Sequence, residues 1–193
     1  MVNSSEKFLI DANTLMTASR FFYAYDLVPS FWKTFEDEIK AGNIVLLDIV
    51  KAEIDKGQDE LKQWVSERED VFEICNHVDP EIIPKYAEVM QYIQECGFYN
   101  EKGLNDWARN EVADPWLIAA AAAKGYKLIT FEQSAGSLNV KNKSGRVKIP
   151  DVAKHFDVEV HNLYHMMRQL KITIYSPKAF RQIPEYEHVE DLL

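Results

Sequence analysis

The stretch DPWLIAAAAAKGYKLITFE, residues 114–132, carries a helix pattern that runs directly into a strand pattern. Alanine favours helix, and the nearly continuous apolar character of the run predicts that this helix is buried. Gly125 is a typical helix stop, and the segment from Tyr126 to Thr130 has the length of a buried strand. A helix followed at once by a buried strand is typical of α/β proteins.

Short apolar segments of strand length recur along the chain, with helical patterns between them. The other strand segments are Lys7 to Ile10, Ile44 to Leu47, Val158 to His161 and, more weakly, Val71 to Cys75. Ser30 is placed to cap the helix FWKTFEDEIKAG, which Gly42 would end. Because parallel neighbours need crossover connections, this alternation predicts an α/β fold with a mainly parallel sheet.

Length and charge limit the function classes. The chain has 193 residues, of which 47% are hydrophobic, and these values suit one domain with a substantial core. A formal net charge of −9 argues against a protein that mainly wraps nucleic acid, since phosphate binding depends on Lys and Arg. A nuclease remains compatible, because carboxylates that hold divalent cations make a site acidic until the metal binds. Cys75 and Cys96 are too few for a disulfide framework and match no zinc pattern.

No apolar run approaches the roughly 20 residues that cross a bilayer. The start MVNSSEKF lacks the basic and apolar regions of a secretory signal. We therefore expect a cytoplasmic protein without a membrane partner.

Four acids are candidate site residues, because ligands of an open parallel sheet gather beyond the carboxyl ends of its strands. Asp11 follows the first strand, and Glu53 lies in the helix after the second. Asp114 begins the apolar helix, and Glu132 lies two residues beyond Thr130. We expect these four carboxylates, distant in sequence, to converge.

Three of these acids also have a purely structural explanation. Asp114 before Pro115 is typical of a helix N-cap followed by proline at the first helical position. Glu53 would then be a solvated helix residue, and Glu132 an ordinary loop acid.

Asp11 is harder to explain by structure alone, because an ionised group at the end of a central strand is costly unless something pairs with it. The nearest cations, Arg20 and Lys7, are not placed to do so. A bound cation is the simpler partner.

Several carboxylates around one cleft raise one another's pKa values unless a divalent metal neutralises them. An all-oxygen ligand set favours Mg²⁺ or Mn²⁺ over zinc. Metal ions held by acids, with open positions for water, are the usual equipment for phosphodiester hydrolysis. Asn13 and Thr130 would be supporting polar residues that position water or phosphate.

The ordered motifs LIDAN, EI, ADPWLIAAAAAKG and LITFE resemble the PIN-domain superfamily over roughly residues 6–170. More narrowly, PSFWKTFEDEIKAGNI, DELKQWVSERE, ADPWLIAAA and KIPDVAKHFDV are similar to a prokaryotic PIN-like subfamily described mainly as a domain of unknown function. The resemblance implies a three-layer α/β/α sandwich. It also implies that Asp11, Glu53 and Asp114 are the core metal ligands. Glu132 would be the fourth acid, with Asp151 as its rival for that place.

The superfamily consists mostly of metal-dependent ribonucleases, many of them toxins of toxin–antitoxin pairs. The resemblance therefore implies an antitoxin or helix-turn-helix regulator as partner, and a possible homodimer. Residues 1–170 would form the nuclease domain. Residues 171–193, with two prolines and no clear period, would be a C-terminal extension packed on the domain or on a partner.

The only cationic stretch follows Glu132 in a loop that contains glycine. Its basic residues are Lys141, Lys143, Arg146 and Lys148. The loop is either a solvated mobile segment or a guide that brings an RNA backbone to the metals.

Two further groups have mainly structural explanations. His161 and His165 are one helical turn apart, but without a third ligand nearby we expect them on the outer face of a late helix. The aromatic residues of 21–35 are mostly core or dimer surface at helical spacing, and any exposed part would suit a partner chain.

The leading hypothesis is a Mg²⁺- or Mn²⁺-dependent endoribonuclease that cleaves single-stranded RNA by two-metal hydrolysis, as the toxin of a toxin–antitoxin pair. Single strands are favoured because a loop-lined acidic cleft offers no helix or ribbon to read duplex grooves. One alternative is a non-catalytic PIN-like binding protein. Another is a metal-dependent phosphatase with an aspartyl nucleophile, which would need a second Asp where Asn13 stands.

Overall fold

A computed structural model of the protein describes residues 6–175. Its centre is a sheet of five parallel strands in the order β3-β2-β1-β4-β5. The strands are β1 Phe8–Ile10, β2 Ile44–Leu47, β3 Glu73–Cys75, β4 Lys127–Ile129 and β5 Val160–His161. All five predicted strands are present, and only β2 has the predicted bounds. The other four are shorter by one or two residues.

Strand β1 lies in the middle, where Leu9 is opposite Val45 of β2 and Leu128 of β4. Every side chain of β1 and β2 is buried. The chain builds outward from β1 to β2 and β3, and then returns to the other side of β1 to place β4 and β5. The point where the strand order reverses therefore lies between β1 and β4, and this is where open parallel sheets bind ligands.

Nine α-helices connect or follow the strands in the described part of the chain. They are α1 Ala12–Thr17, α2 Pro29–Lys40, α3 Asp48–Asp55, α4 Glu60–Ser66, α5 Ile82–Glu95, α6 Glu101–Trp107, α7 Asp114–Lys124, α8 Ile149–Ala153 and α9 Leu163–Gln169. Helix α3 packs against α1 and α4, whereas α7 packs against α5 and α8. With the right-handed crossovers that parallel strands adopt, this strand order places the two sets on opposite faces of the sheet, in agreement with the predicted three-layer α/β/α sandwich.

The alanine-rich helix α7 is buried as predicted, with Leu117, Ile118 and the alanines 119–121 inside the core. Gly125 ends it in the left-handed region at φ +69°, where a residue without Cβ is favoured. Gly42 makes the same kind of turn after α2, at φ +76°. Both turns lie at the amino-terminal edge of the sheet, directly before β2 and β4.

The predicted Ser30 cap is wrong. Helix α2 begins at Pro29, two residues before the predicted start at Phe31. The proline ring fixes a helical φ, and its missing N–H costs nothing in the first turn. The hydroxyl of Ser30 instead accepts a hydrogen bond from the Tyr175 backbone N–H at 3.1 Å.

The predicted C-terminal extension falls largely on residues 176–193, which lie outside the described residues. Within its described part, Ile172 is buried against the core. None of the helices between residues 6 and 175 combines the length and the apolar character needed to span a bilayer.

Candidate active site

Asp11 lies at the point of strand-order reversal and is almost completely buried, with 2% of its surface exposed. The hydroxyl of Thr130, which follows β4, donates a hydrogen bond of 3.0 Å to Asp11 Oδ2. The Asn13 backbone N–H donates to Asp11 Oδ1 at 3.4 Å. The same Thr130 hydroxyl accepts from the Glu132 N–H at 3.0 Å. Strand β4 thus fixes the Asp11 carboxylate through a neutral side chain.

The cations nearest to Asp11 in sequence are paired elsewhere, as expected. Arg20 binds Asp59 with 2.6 Å between Nη2 and Oδ2, and Lys7 binds Glu73 at the opposite end of β1. The sequence predicted a bound cation as the partner that stabilises the Asp11 carboxylate. The Thr130 hydroxyl and the Asn13 N–H already supply part of that stabilisation as hydrogen-bond donors. These neutral groups leave its charge without a counter-ion among residues 6–175.

The four predicted acids share one electrostatic environment. The pKa of Asp11 is raised to about 6, mainly by burial and in part by the charges of Glu53 and Glu132, while its two hydrogen bonds act to lower it. Burial also raises the pKa of Asp114 to about 7, with added repulsion from Asp11, Glu132 and Glu53. The charges of Asp11, Glu53 and Glu132 thus act on Asp114, although these residues lie far apart in the chain.

Asp114 is the first residue of α7 and makes no capping hydrogen bond. The alternative explanation of this acid as an N-cap is therefore wrong. Glu53 is half-buried on α3, and burial raises its pKa while the charge of Lys56 opposes that rise.

Glu132 is held by the segment that begins α8. Its Oε1 lies 2.5 Å from the Lys148 Nζ, and its Oε2 accepts from the Ile149 N–H at 2.8 Å. Its rival Asp151 binds the Ser134 hydroxyl, and accepts from the Ala135 N–H at 2.9 Å. Only Glu132 of these two is among the charges that raise the pKa values of Asp11 and Asp114.

Carboxylate oxygens are the donors that Mg²⁺ and Mn²⁺ prefer, so the chemistry of the cluster fits a hard divalent cation. The side chains are not arranged around one point, however. Among residues 6–175, no three His, Cys, Asp or Glu side chains stand together in a group that could hold a metal ion.

The basic loop after Glu132 is anchored rather than free. The Ser144 N–H donates to the Phe98 carbonyl at 2.8 Å, and the Asn100 N–H donates to the Ser144 carbonyl at 2.9 Å. These two bonds tie the centre of the segment to the residues that follow α5, while Arg146 stays exposed to solvent. Arg146 and Lys148 line a groove of about 200 Å³ together with Asp114.

Lys141 and Lys143 are exposed in the far part of the same loop. The neighbouring Val140 lies near Gly97, after α5, rather than near the acids. The RNA-guiding role assigned to these four basic residues stays a prediction.

A family model described as "Domain of unknown function (DUF4411)" matches residues 8–174. The chain belongs to this family. Comparison with curated proteins finds no match.

A solved structure of VapBC2 from Rickettsia felis, bound to a DNA fragment from its promoter, is similar at a TM-score of 0.50. It is 14% identical, and the match covers 80% of this chain and 97% of that one. DNA-bound VapBC from Salmonella typhimurium is 11% identical over 81% of this chain and 98% of that one, at a TM-score of 0.46. The PIN-like fold expected from the sequence motifs is confirmed.

His161 and His165 do not share a helix face in this DUF4411 domain, so that prediction is wrong. His161 belongs to β5 and His165 to α9, and their rings stack with centroids 3.7 Å apart. Asn162 is the N-cap between them, because its side chain accepts from the His165 N–H at 3.0 Å. This asparagine was the sequence signal that a new helix begins there.

Another polar group at the carboxyl edge was not found from the sequence. Asp48, at the start of α3, lies 2.7 Å from His77 Nδ1 after β3. The ring of Trp116 packs on His77, and Tyr86 stacks on Trp116 with centroids 3.6 Å apart. The four residues of this group come from separate parts of the chain, so no local sequence motif indicates the group.

The aromatic residues of 21–35 divide between core and surface. Phe31, Trp32 and Phe35 are buried, whereas Phe21 is 77% exposed and Phe22 44% exposed. A partner that covers the exposed pair stays a prediction.

Proposed function

We propose that this DUF4411 domain is a Mg²⁺- or Mn²⁺-dependent endoribonuclease that hydrolyses single-stranded RNA. One observation supports this most strongly. Asp11 and Asp114, next to the reversal of strand order, have pKa values raised to about 6 and about 7 by burial and by their acidic neighbours. A cluster of mutually repelling carboxylates at this edge is unfavourable unless cations join it.

In this proposal Asp11, Glu53 and Asp114 hold the metal, and Glu132 completes the set or orients water. When bound, the ion lowers the pKa of the attacking water and stabilises charge on the leaving oxygen. Thr130 keeps the Asp11 carboxylate in one orientation, so that this ligand is fixed before the ion arrives. Lys148 holds Glu132 beside the cluster and partly neutralises it.

The VapBC2 structure to which this fold is similar is a complex bound to DNA from its promoter, and the sequence motifs resemble a superfamily with many toxins. On that basis we further propose that the domain is the toxin of a toxin–antitoxin pair. Its partner would be a small antitoxin or a helix-turn-helix regulator, and the domain itself would form a homodimer.

The test is cleavage of a mixed pool of single-stranded RNA by the purified full-length protein, with Mn²⁺ and with chelator. Cleavage is expected only with Mn²⁺, and Asp11→Asn should reduce the rate by at least about 100-fold if Asp11 holds the catalytic ion. The matched control is Asp37→Asn, an exposed aspartate of α2 whose loss should leave the rate unchanged. Equal cleavage by wild type and Asp11→Asn, or cleavage that survives the chelator, would refute the proposal.

A second candidate is a non-catalytic binding protein, favoured by the lack of a ready-made three-ligand group in the described residues. Titration with Mn²⁺ separates the two. A nuclease of the proposed kind gains thermal stability from Mn²⁺ through Asp11 and Asp114, whereas a binding module shows no carboxylate-dependent gain.

A further inference from the structure

A second groove, of about 540 Å³, opens directly beside the acid cluster. Thr130 and Glu132 form one of its walls, so it is continuous with the candidate active site. The opposite side is formed by His161 of β5 and by His165 and Arg168 of α9. The Thr130 N–H donates to the His161 carbonyl at 3.0 Å, which fixes the distance between the two walls.

The far wall offers hydrogen-bond donors and positive charge. Arg168 is exposed on α9, and its guanidinium can donate to two oxygens of one phosphate. His165 Nε2 is buried and has no hydrogen-bond partner among residues 6–175. A buried polar atom without a partner is costly, and a ligand oxygen would relieve that cost.

The negative charges near this wall are already engaged. Glu132 is paired with Lys148, and it also accepts from the Ile149 N–H. Glu159 Oε2 lies 3.1 Å from His161 Nε2 and also pairs with Lys127. These pairings reduce the repulsion that an incoming anion would meet in the groove.

The acid cluster therefore has basic side chains on two sides. Arg146 and Lys148 line the smaller groove next to Asp114, and Arg168 lines the larger groove next to Glu132. A strand with regularly spaced phosphates can contact both sides while one of its bonds lies over the carboxylates. A flexible single strand suits such a path better than a stiff duplex.

We propose that the groove of His161, His165 and Arg168 binds a backbone phosphate of the RNA strand, at a nucleotide next to the bond that is cut. This inference rests on the proposed function, because it takes single-stranded RNA as the substrate. Arg168 is the main anion contact, and His165 lines the same groove.

The test measures binding of a fluorescein-labelled ten-nucleotide uridine RNA to the full-length protein by fluorescence anisotropy, with chelator present so that no cleavage is required. Arg168→Gln should weaken binding about fivefold to tenfold, as expected for loss of a charged hydrogen bond. Arg168→Lys should bind with intermediate affinity, because it keeps the charge and loses the paired donors. The slope of log Kd against log salt should fall by about 0.7 in Arg168→Gln, which a merely structural change would not cause.

Lys85→Gln is the matched control. It also removes one positive charge, at a residue of α5 that is paired with Glu88. Its RNA affinity should equal that of wild type. His165→Asn should weaken binding to a smaller extent, and a thermal melt shows whether that variant still folds. Arg168 is exposed, so the decisive variant does not depend on that check.

Unchanged affinity and salt slope in Arg168→Gln would overturn the assignment of the groove. Displacement of the labelled RNA by about 10 mM inorganic phosphate at constant ionic strength would also overturn it, since the groove would then be a site for the free ion. The two proposals can fail separately. If Arg168→Gln loses RNA binding but wild type shows no Mn²⁺-dependent cleavage, only the nuclease proposal is refuted. If wild type cleaves RNA but Arg168→Gln binds it with unaltered affinity, only the proposal for the groove is refuted.

Discussion

Replacement of Asp11 by asparagine is expected to stabilise the metal-free protein above neutral pH, although it removes a residue of the candidate active site. Only 2% of the surface of Asp11 is exposed, and its carboxylate has only neutral hydrogen-bond partners. Its ionisation is therefore unfavourable in the folded protein, and an asparagine avoids it while its amide oxygen can still accept from Thr130.

The magnitude follows from the pKa of Asp11, which rises from 3.8 to about 6 on folding, mainly through burial. A rise of this size corresponds to about 3 kcal/mol of unfolding free energy once both states are ionised. Asparagine forms a weaker hydrogen bond with Thr130 than a carboxylate does. The net gain of Asp11→Asn at pH 8 is therefore expected at about 1–3 kcal/mol.

The direction in which the free energy of unfolding changes with pH depends on whether the folded or the unfolded state binds more protons. Between pH 3.8 and about 6 the folded protein holds a proton on Asp11 that the unfolded chain has lost, so wild-type stability falls relative to the variant as pH rises. The difference is absent below pH 3.8 and complete above about 6. Urea unfolding of both proteins at pH 4, 6 and 8 with chelator measures it, with Asp37→Asn as the control.

Mn²⁺ should reverse the order at pH 8, because the ion binds the wild-type carboxylates and not the amide. At a concentration 1,000 times its dissociation constant the ion adds about 4.1 kcal/mol to wild type, which exceeds the expected gain of the variant. A difference between the two proteins that stays constant from pH 4 to pH 8 would refute the reasoning on burial. Equal stabilisation of both by Mn²⁺ would refute the metal assignment.

Three further substitutions test other parts of the structure by urea unfolding. Thr130→Val removes the hydroxyl that donates to Asp11 and accepts from the Glu132 N–H, so we expect a loss of about 1–3 kcal/mol and a still higher pKa of Asp11; unaltered stability would contradict this. Gly125→Ala places a Cβ at φ +69° with no atom within 4 Å, so its cost should be purely conformational, about 1 kcal/mol, and a larger loss would reveal an unseen clash. Phe35→Ala empties a fully buried core position and should cost about 3–5 kcal/mol, and a smaller loss would show that the core there collapses around the gap.

The fold was largely predictable because its signals are local. The segment from Ile44 to Leu47 is apolar throughout and is followed at once by a helix, so even its bounds could be predicted. Gly125 identified the end of α7 because its backbone needs a positive φ. The prediction of a Ser30 cap failed because Pro29 and Ser30 are both helix-start signals and lie side by side. The fixed φ of Pro29 determined the first turn.

The site was predictable only in part, because its geometry depends on the order of the strands. Asp11 and Thr130 meet because β1 pairs with β4, across more than a hundred intervening residues. Lys148 could be recognised as a cation near the acids, but not as the partner of Glu132, since that contact depends on where α8 begins. The stacked histidines depend on the pairing of β5, a strand of only two residues.

All five strands point the same way, so both candidate grooves open at one rim of the molecule and the opposite rim is left without any proposed role. The helix-to-strand turns at 41–43 and 125–126 lie on that opposite rim, and Ala41 and Gly125 are exposed there. A fluorophore or a surface-coupling handle attached at either bend would leave the polynucleotide path open to solution. The protein can thus be immobilised in a defined orientation for measurements on single RNA molecules.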